Sequence, residues 1–220
     1  MPRLFTYTIP VDDGAAPNPF SGLCTLAICK PGIRRVAKVG DWVAGLGSKN
    51  APSGDLSGRL VYAMRVEEIL TLEAYDRRAE EEWPHRIPDI TSPLLQRRLG
   101  DCIYDFSSAG EPRLRNSVHG PGNVKTDLGG RNALLSRDFY YFGKRAIPLS
   151  ESLIPICHSN QGHRSTSNQS YFDEFVAWIR NGDWAPGQYG WPDCVPEWRG
   201  DRACGGCDAR EKENQYDPAC

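Results

Sequence analysis

No stretch of this sequence reaches the roughly 18 consecutive apolar residues that a membrane-spanning helix requires. The opening residues, Met1-Pro2-Arg3-Leu4-Phe5-Thr6-Tyr7, lack the apolar core of an export signal and read as a strand. The expectation is a cytoplasmic protein with no membrane partner. Also missing are the P-loop spacing, the Gly-x-Gly-x-x-Gly dinucleotide fingerprint and the His-Glu-x-x-His zinc pattern. A nucleotide-cofactor enzyme is therefore the least supported class. No charge sign dominates either. The formal net charge is -2 over 220 residues, which argues against indiscriminate nucleic-acid binding. No internal repeat is visible.

What the chain has is ordinary globular composition, 40% hydrophobic and 25% charged, in a length that suits one domain with an appendage. Basic residues gather between Arg97 and Arg145, at Arg98, Arg113, Arg115, Lys125, Arg131, Arg137 and Lys144. Such a local basic face on a near-neutral protein is compatible with a polyanion. Eight cysteines without an export signal point to thiols or metal ligands rather than disulfides. Cys24, Cys29, Cys102 and Cys157 lie in or beside apolar runs and read as inert buried thiols.

The pattern predicts strands at Leu4 to Ile9, Cys24 to Ile28, Asp41 to Gly45 and Arg59 to Val66. Pro31 opens a short helix carrying Ile33, Val36 and Ala37. Thr71 caps a helix through Leu72, Tyr75 and Ala79 that Trp83-Pro84 stops. Ser107 to Gly130 reads as one long loop, which marks function or disorder. Ala133 to Gly143 reads as a single strand running into an aromatic stretch. Ser170-Tyr171-Phe172-Asp173 opens a helix with Phe172, Phe175, Val176 and Ile179 on its buried face. This order favours an α+β fold: a mixed, curved, barrel-like sheet with a few flanking helices. Residues 1–183 form the expected domain, and 184–220 an irregular Pro/Gly/Trp/Cys-rich extension.

Two loops combine polar side chains with stiff backbone. In Asp12-Asp13-Gly14-Ala15-Ala16-Pro17-Asn18-Pro19-Phe20, the prolines fix φ and hold Asp13 and Asn18 in place. In Gly40-Asp41-Trp42-Val43-Ala44-Gly45-Leu46-Gly47-Ser48-Lys49, glycines allow close approach of a ligand and Lys49 meets its charge. Ordinary surface turns are the competing reading for both.

Several blocks together resemble the second type of nucleotide-modification-associated domain. They include Ala16-Pro17-Asn18-Pro19-Phe20, Cys29-Lys30-Pro31-Gly32-Ile33-Arg34, Gly40-Asp41-Trp42-Val43, Gly58-Arg59-Leu60-Val61-Tyr62-Ala63-Met64 and Asp138-Phe139-Tyr140-Tyr141-Phe142-Gly143. Those bacterial and phage proteins accompany enzymes that handle hypermodified DNA bases. The Gly-Asp-Trp-Val strand with its flanking elements is also similar to pseudouridine-synthase-associated (PUA-like) barrels that hold an extruded base. The resemblance implies a partner: DNA, double-stranded and base-modified.

A protein acting on a duplex base must first take it out of the stack. Trp42, Ser48, Tyr62, Tyr140 and Tyr141 are candidates for the base pocket, with core packing as the plainer role of the aromatics. Lys49, Arg137, Lys144, Arg145 and Arg164 are candidates for phosphate contacts. For glycosidic cleavage, Asp13 would stabilise the cationic sugar or activate water, with Asn18 positioning. Asp138 is the second carboxylate, and pairing with Arg137 or Lys144 is its plainer role. His163 would donate a proton or grip a phosphate. The leading expectation is a DNA glycosylase that excises a hypermodified base, in anti-phage defence. The alternatives are a reader module without chemistry and a base-modifying transferase or hydrolase. No cofactor is required. Cys194, Cys204, Cys207 and Cys220 would supply a structural zinc site, although the second close pair of a zinc ribbon is missing.

Overall fold

The computed structural model describes residues 1–158, 162–199 and 202–205, as backbone alone from 196 onward. Its strands are β1 (Leu4–Ile9), β2 (Cys24–Leu26), β3 (Trp42–Gly47), β4 (Arg59–Arg65), β5 (Glu68–Thr71), β6 (Tyr104–Asp105) and β7 (Arg113–Leu114). They continue with β8 (Asn132–Ser136), β9 (Phe139–Tyr141), β10 (Ile147–Pro148), β11 (Gly187–Gln188), β12 (Pro196–Arg199) and β13 (Arg202–Gly205). The α-helices are α1 (Pro31–Val36), α2 (Leu72–Glu81), α3 (Leu95–Arg98), α4 (Val124–Gly129) and α5 (Phe172–Arg180).

The main sheet runs β1-β3-β4-β9-β11, with β10 beside β4. It is mixed: β1 lies parallel to β3 and β11 parallel to β9, while β4 is antiparallel to its neighbours. Period-two alternation gives the sheet two apolar faces. Phe5, Tyr7, Val43, Tyr62, Met64, Phe139 and Tyr141 pack with Cys24, Leu26 and Leu134 of a second sheet and with Ile33 of α1. That second sheet runs β2-β8-β5. On the opposite face, Leu4, Trp42, Ala44, Ala63, Tyr140 and Phe142 meet Phe175 and Ile179 of α5. Each buried aromatic contributes roughly 2–3 kcal/mol through apolar burial. The outer face of the second sheet, through Ala133 and Leu135, covers Leu72, Tyr75 and Ala79 of α2.

The α+β architecture with a mixed sheet holds, but the sheet is open rather than barrel-like. It ends on β1 and β11, which do not pair with each other. The reason lies in the expected long strand from Ala133 to Gly143, which is two strands in two sheets. Between them the Glu67 carboxylate accepts the backbone N–H groups of Arg137 and Asp138, and Ser136 Oγ donates to the Asp138 carbonyl. The chain turns there, and β8 leaves for the second sheet. The expected loop from Ser107 to Gly130 contains β7 and α4. At α2, Thr71 Oγ1 accepts from Ala74 N as the sequence suggests. At α5 the N-cap is Tyr171, with no side-chain cap, so the Ser170 capping box does not form. Beyond Asp183 the chain returns as β11. Trp184 packs on Phe142, and Pro192 covers Gly14.

Candidate active site

Cys29 follows the end of β2 after Ala27 and Ile28, and opens the turn into α1. It has φ +55°, and Lys30 after it has φ +41°, a conformation that side-chain-bearing residues rarely adopt. Two groups hold the turn. The backbone N–H of Cys29 donates to Asp127 Oδ1 over 2.8 Å. The wholly buried Arg34 donates from Nε to the Cys29 carbonyl, and from Nη2 and Nη1 to the carbonyls of Asp127 and Asn132. Burial lowers the Arg34 pKa to about 10 against the opposing field of Asp127, so it stays a cation at neutral pH.

His119 comes from the loop ahead of α4, and Asp127 from α4 itself. His119 Nε2 lies 3.5 Å from Cys29 Sγ, and His119 Nδ1 lies 2.6 Å from Asp127 Oδ2. Burial pushes the Asp127 pKa up. Hydrogen bonds from His119, the Cys29 amide and the Tyr104 hydroxyl outweigh that and leave it below the usual carboxylate range. A carboxylate on Nδ1 fixes the imidazole tautomer, so Nε2 presents its lone pair to the thiol. The thiol, base and orienting acid of nucleophilic catalysis stand in line. The same three side chains are also close enough to bind a cation.

Other side chains gather around this line. Lys30 Nζ sits 4.7 Å from the centre of the Tyr7 ring, and the Tyr7 hydroxyl bonds that of Tyr62 at 3.0 Å. Burial raises the Asp13 pKa, and the nearby charge of His119 opposes the rise. His163 rests against Phe5, with its ring over Gly32 at the start of α1. Partial desolvation, together with the charges of His158, Lys30 and Arg3, lowers its pKa. Arg164 pairs through its backbone with Thr6 of β1. The Arg164 guanidinium donates to the Cys157 carbonyl at 3.4 Å, so of these candidates Asp13 and His163 border the Cys29 turn.

The remaining sequence candidates lie elsewhere. Asn18 is buried: Nδ2 donates to the Leu99 carbonyl, and Oδ1 accepts from Arg86. Asp138 forms a two-pronged ion pair with Arg180, rather than with Arg137 or Lys144. Trp42 and Tyr140 stack in the core beneath α5, while Tyr62 and Tyr141 fill the opposite face. The structure thus does not bring Asn18 and Tyr140 to one hollow. Ser48 closes its own turn, accepting Asn50 N at Oγ, and Lys49 beside it is exposed. Arg137 is exposed between β8 and β9, and Lys144 and Arg145 are exposed together on the one turn that follows β9. A shallow cavity of about 430 Å³, lined by Pro88, Asp89, Arg113 and Arg115 among others, contains no member of the Cys29 line.

Cys194 is disulfide-bonded, contrary to the expectation of thiols or metal ligands, and so offers no thiolate to zinc. Cys207 and Cys220 lie outside the described residues, as does the side chain of Cys204.

The family model described as nucleotide modification associated domain 2 matches residues 1–200. The chain belongs to that family. No curated protein and no solved structure matches it. Within this nucleotide-modification-associated chain, sequence reasoning passed over all three residues of the line. The sequence marks Cys29 as an inert buried thiol, and its burial holds at 4% exposure. Its signal was a cysteine set directly before Lys30-Pro31-Gly32 at a helix start. His119 and Asp127 lie in the stretch that the sequence predicts as loop.

Proposed function

We propose that this chain is an enzyme of nucleotide modification that works through a covalent bond to Cys29. The observation that carries the reading is the alignment of Cys29, His119 and Asp127. His119 takes the thiol proton, and Asp127 holds the ring and stabilises the imidazolium. Family membership supports a nucleotide-related substrate, and we assign it as a modified base in double-stranded DNA, extruded toward the Cys29 turn. Lys30 supplies positive charge at that turn.

A second reading, excision of a hypermodified base by glycosidic cleavage in anti-phage defence, is favoured by Asp13. Its carboxyl lies within the field of His119 and is held on a short turn by Ala15 N at 2.9 Å. A reader without chemistry would leave the Cys29 line without a role.

The test uses duplex DNA bearing hydroxymethylated or glucosylated cytosine, alongside unmodified DNA, with nucleosides and free bases measured by mass spectrometry. Altered nucleosides that vanish with Cys29→Ser support the covalent enzyme. Free base and alkali-labile sites that vanish with Asp13→Asn but survive Cys29→Ser support the glycosylase. Binding to the modified DNA without any product supports the reader.

A further inference from the structure

We infer that the electrophile attacked by Cys29 is an acyl carbon: an amide or ester carried on, or delivered to, the nucleotide. This rests on the covalent role of Cys29 proposed above and names its substrate class.

The argument is where the proton can go. His119 Nε2 stands beside Sγ at 3.5 Å, on the sulfur side of any bound substrate. A proton taken from the thiol is useful only if the same nitrogen can return it to the departing group. When sulfur adds to a carbonyl, the leaving nitrogen or oxygen is on the very carbon that sulfur has bonded. It therefore lies within reach of Nε2. Displacement at a sugar carbon runs in line, and the leaving base departs on the face away from sulfur, where a second acid would have to stand. Addition to a pyrimidine ring carbon likewise sends its proton across the ring. The nearby carboxyls are engaged: Asp12 accepts from Tyr141 Oη and Gly14 N, and Asp13 Oδ1 accepts from Ala15 N.

Charge placement agrees. The oxyanion of an acyl intermediate needs a positive or N–H group. The Cys29 amide is already committed to Asp127. Lys30 is the neighbouring cation, its Nζ held 4.7 Å from the centre of the Tyr7 ring. Lys30 is thus the oxyanion partner.

The steps balance. The thiol proton moves to His119 Nε2 as Sγ bonds the carbonyl carbon and the π pair moves onto oxygen. The oxygen pair returns, the C–N or C–O bond breaks, and the leaving amine or alcohol takes the proton from His119. Water, or an acceptor amine, then gives a proton to His119 and attacks the thioester. The C–S bond breaks and the thiol is restored. The product is a free acid or a transferred acyl group.

The experiment uses the full chain with two acyl probes: p-nitrophenyl acetate, and deoxycytidine monophosphate acetylated on its exocyclic amine. Intact-mass spectrometry should show acetyl on Cys29, removable by hydroxylamine, with a burst of nitrophenolate. The acetylated nucleotide should yield acetate and deoxycytidine monophosphate. Cys29→Ser should lose both, and His119→Gln should slow acylation about 100-fold or more. Iodoacetamide separates this inference from the reading beneath it. If Cys29 alkylates faster than the more exposed Cys157 yet neither probe acylates it, the acyl assignment is overturned and the covalent role stands. If Cys29 is no more reactive than Cys157, both fall. Acetylation that His119→Gln leaves unchanged also overturns the assignment. Circular dichroism of both variants confirms that they fold.

Discussion

Asp127 bonds the backbone amide of Cys29 with one oxygen and the ring of His119 with the other. One carboxylate therefore sets both the turn that carries the nucleophile and the direction of its base. Asp127→Asn should fail twice. The amide can still accept from Cys29 N, but it no longer stabilises an imidazolium. Turnover should fall about 10³- to 10⁴-fold. Stability should fall by about 1–3 kcal/mol through the disturbed hydrogen bonds. Steady-state rates and denaturant melts check the two effects separately, and a full-rate variant would remove Asp127 from the line.

Asp12 gives a pH signature of stability. It is buried, and desolvation raises its pKa to about 7, opposed by the hydrogen bond from Tyr141 Oη. The folded state therefore holds this proton more tightly than the unfolded state does, where the value is about 4. Its contribution is complete below about pH 4 and is lost as pH rises through 7. Asp12→Asn should flatten that decline, by up to roughly 4 kcal/mol between acid and neutral pH. Parallel melts across pH would show it; parallel slopes for both proteins would refute it.

Asp138 should behave as a surface partner. Its ion pair with Arg180 is partly exposed, and Arg180 also lies over Trp42 at 5.2 Å. Asp138→Ala should cost about 1 kcal/mol or less and leave the rate of Cys29 alkylation unchanged. A collapse of that rate would return Asp138 to the chemistry.

Arg86 should be far more costly. Its buried guanidinium serves Asn18, Thr25 and the carbonyls of Phe20 and Leu23, and lies 3.9 Å from Asp101. Arg86→Met strands Asp101 and should remove about 3–5 kcal/mol. Chemical denaturation is the measurement; a loss under 1 kcal/mol would mean that the network rearranges.

Much of the framework was legible, because strands such as β1 and β4 and the Thr71-capped α2 follow from local periodicity. The division at Arg137 was not. It depends on Glu67, 70 residues away, accepting two backbone amides at one turn. The aromatic candidates were misplaced for a related reason. Alternation along β9 sends Tyr140 and Tyr141 to opposite faces, so neighbours in sequence cannot share a pocket wall. The Cys29 line was hidden because its members are brought together by long-range contacts. Asp13 and His163 were found near it because rigid loops and histidines mark sites even when their partners are unknown.

Arg34 gives the architecture a practical consequence. Its three carbonyl contacts staple segments up to 98 residues apart into a single brace. The α5 side of the main sheet carries none of that brace. Reporter dyes, tethers or fused cargo mounted along α5 should therefore leave the Cys29 turn undisturbed, which makes that helix the natural handle for immobilising the protein.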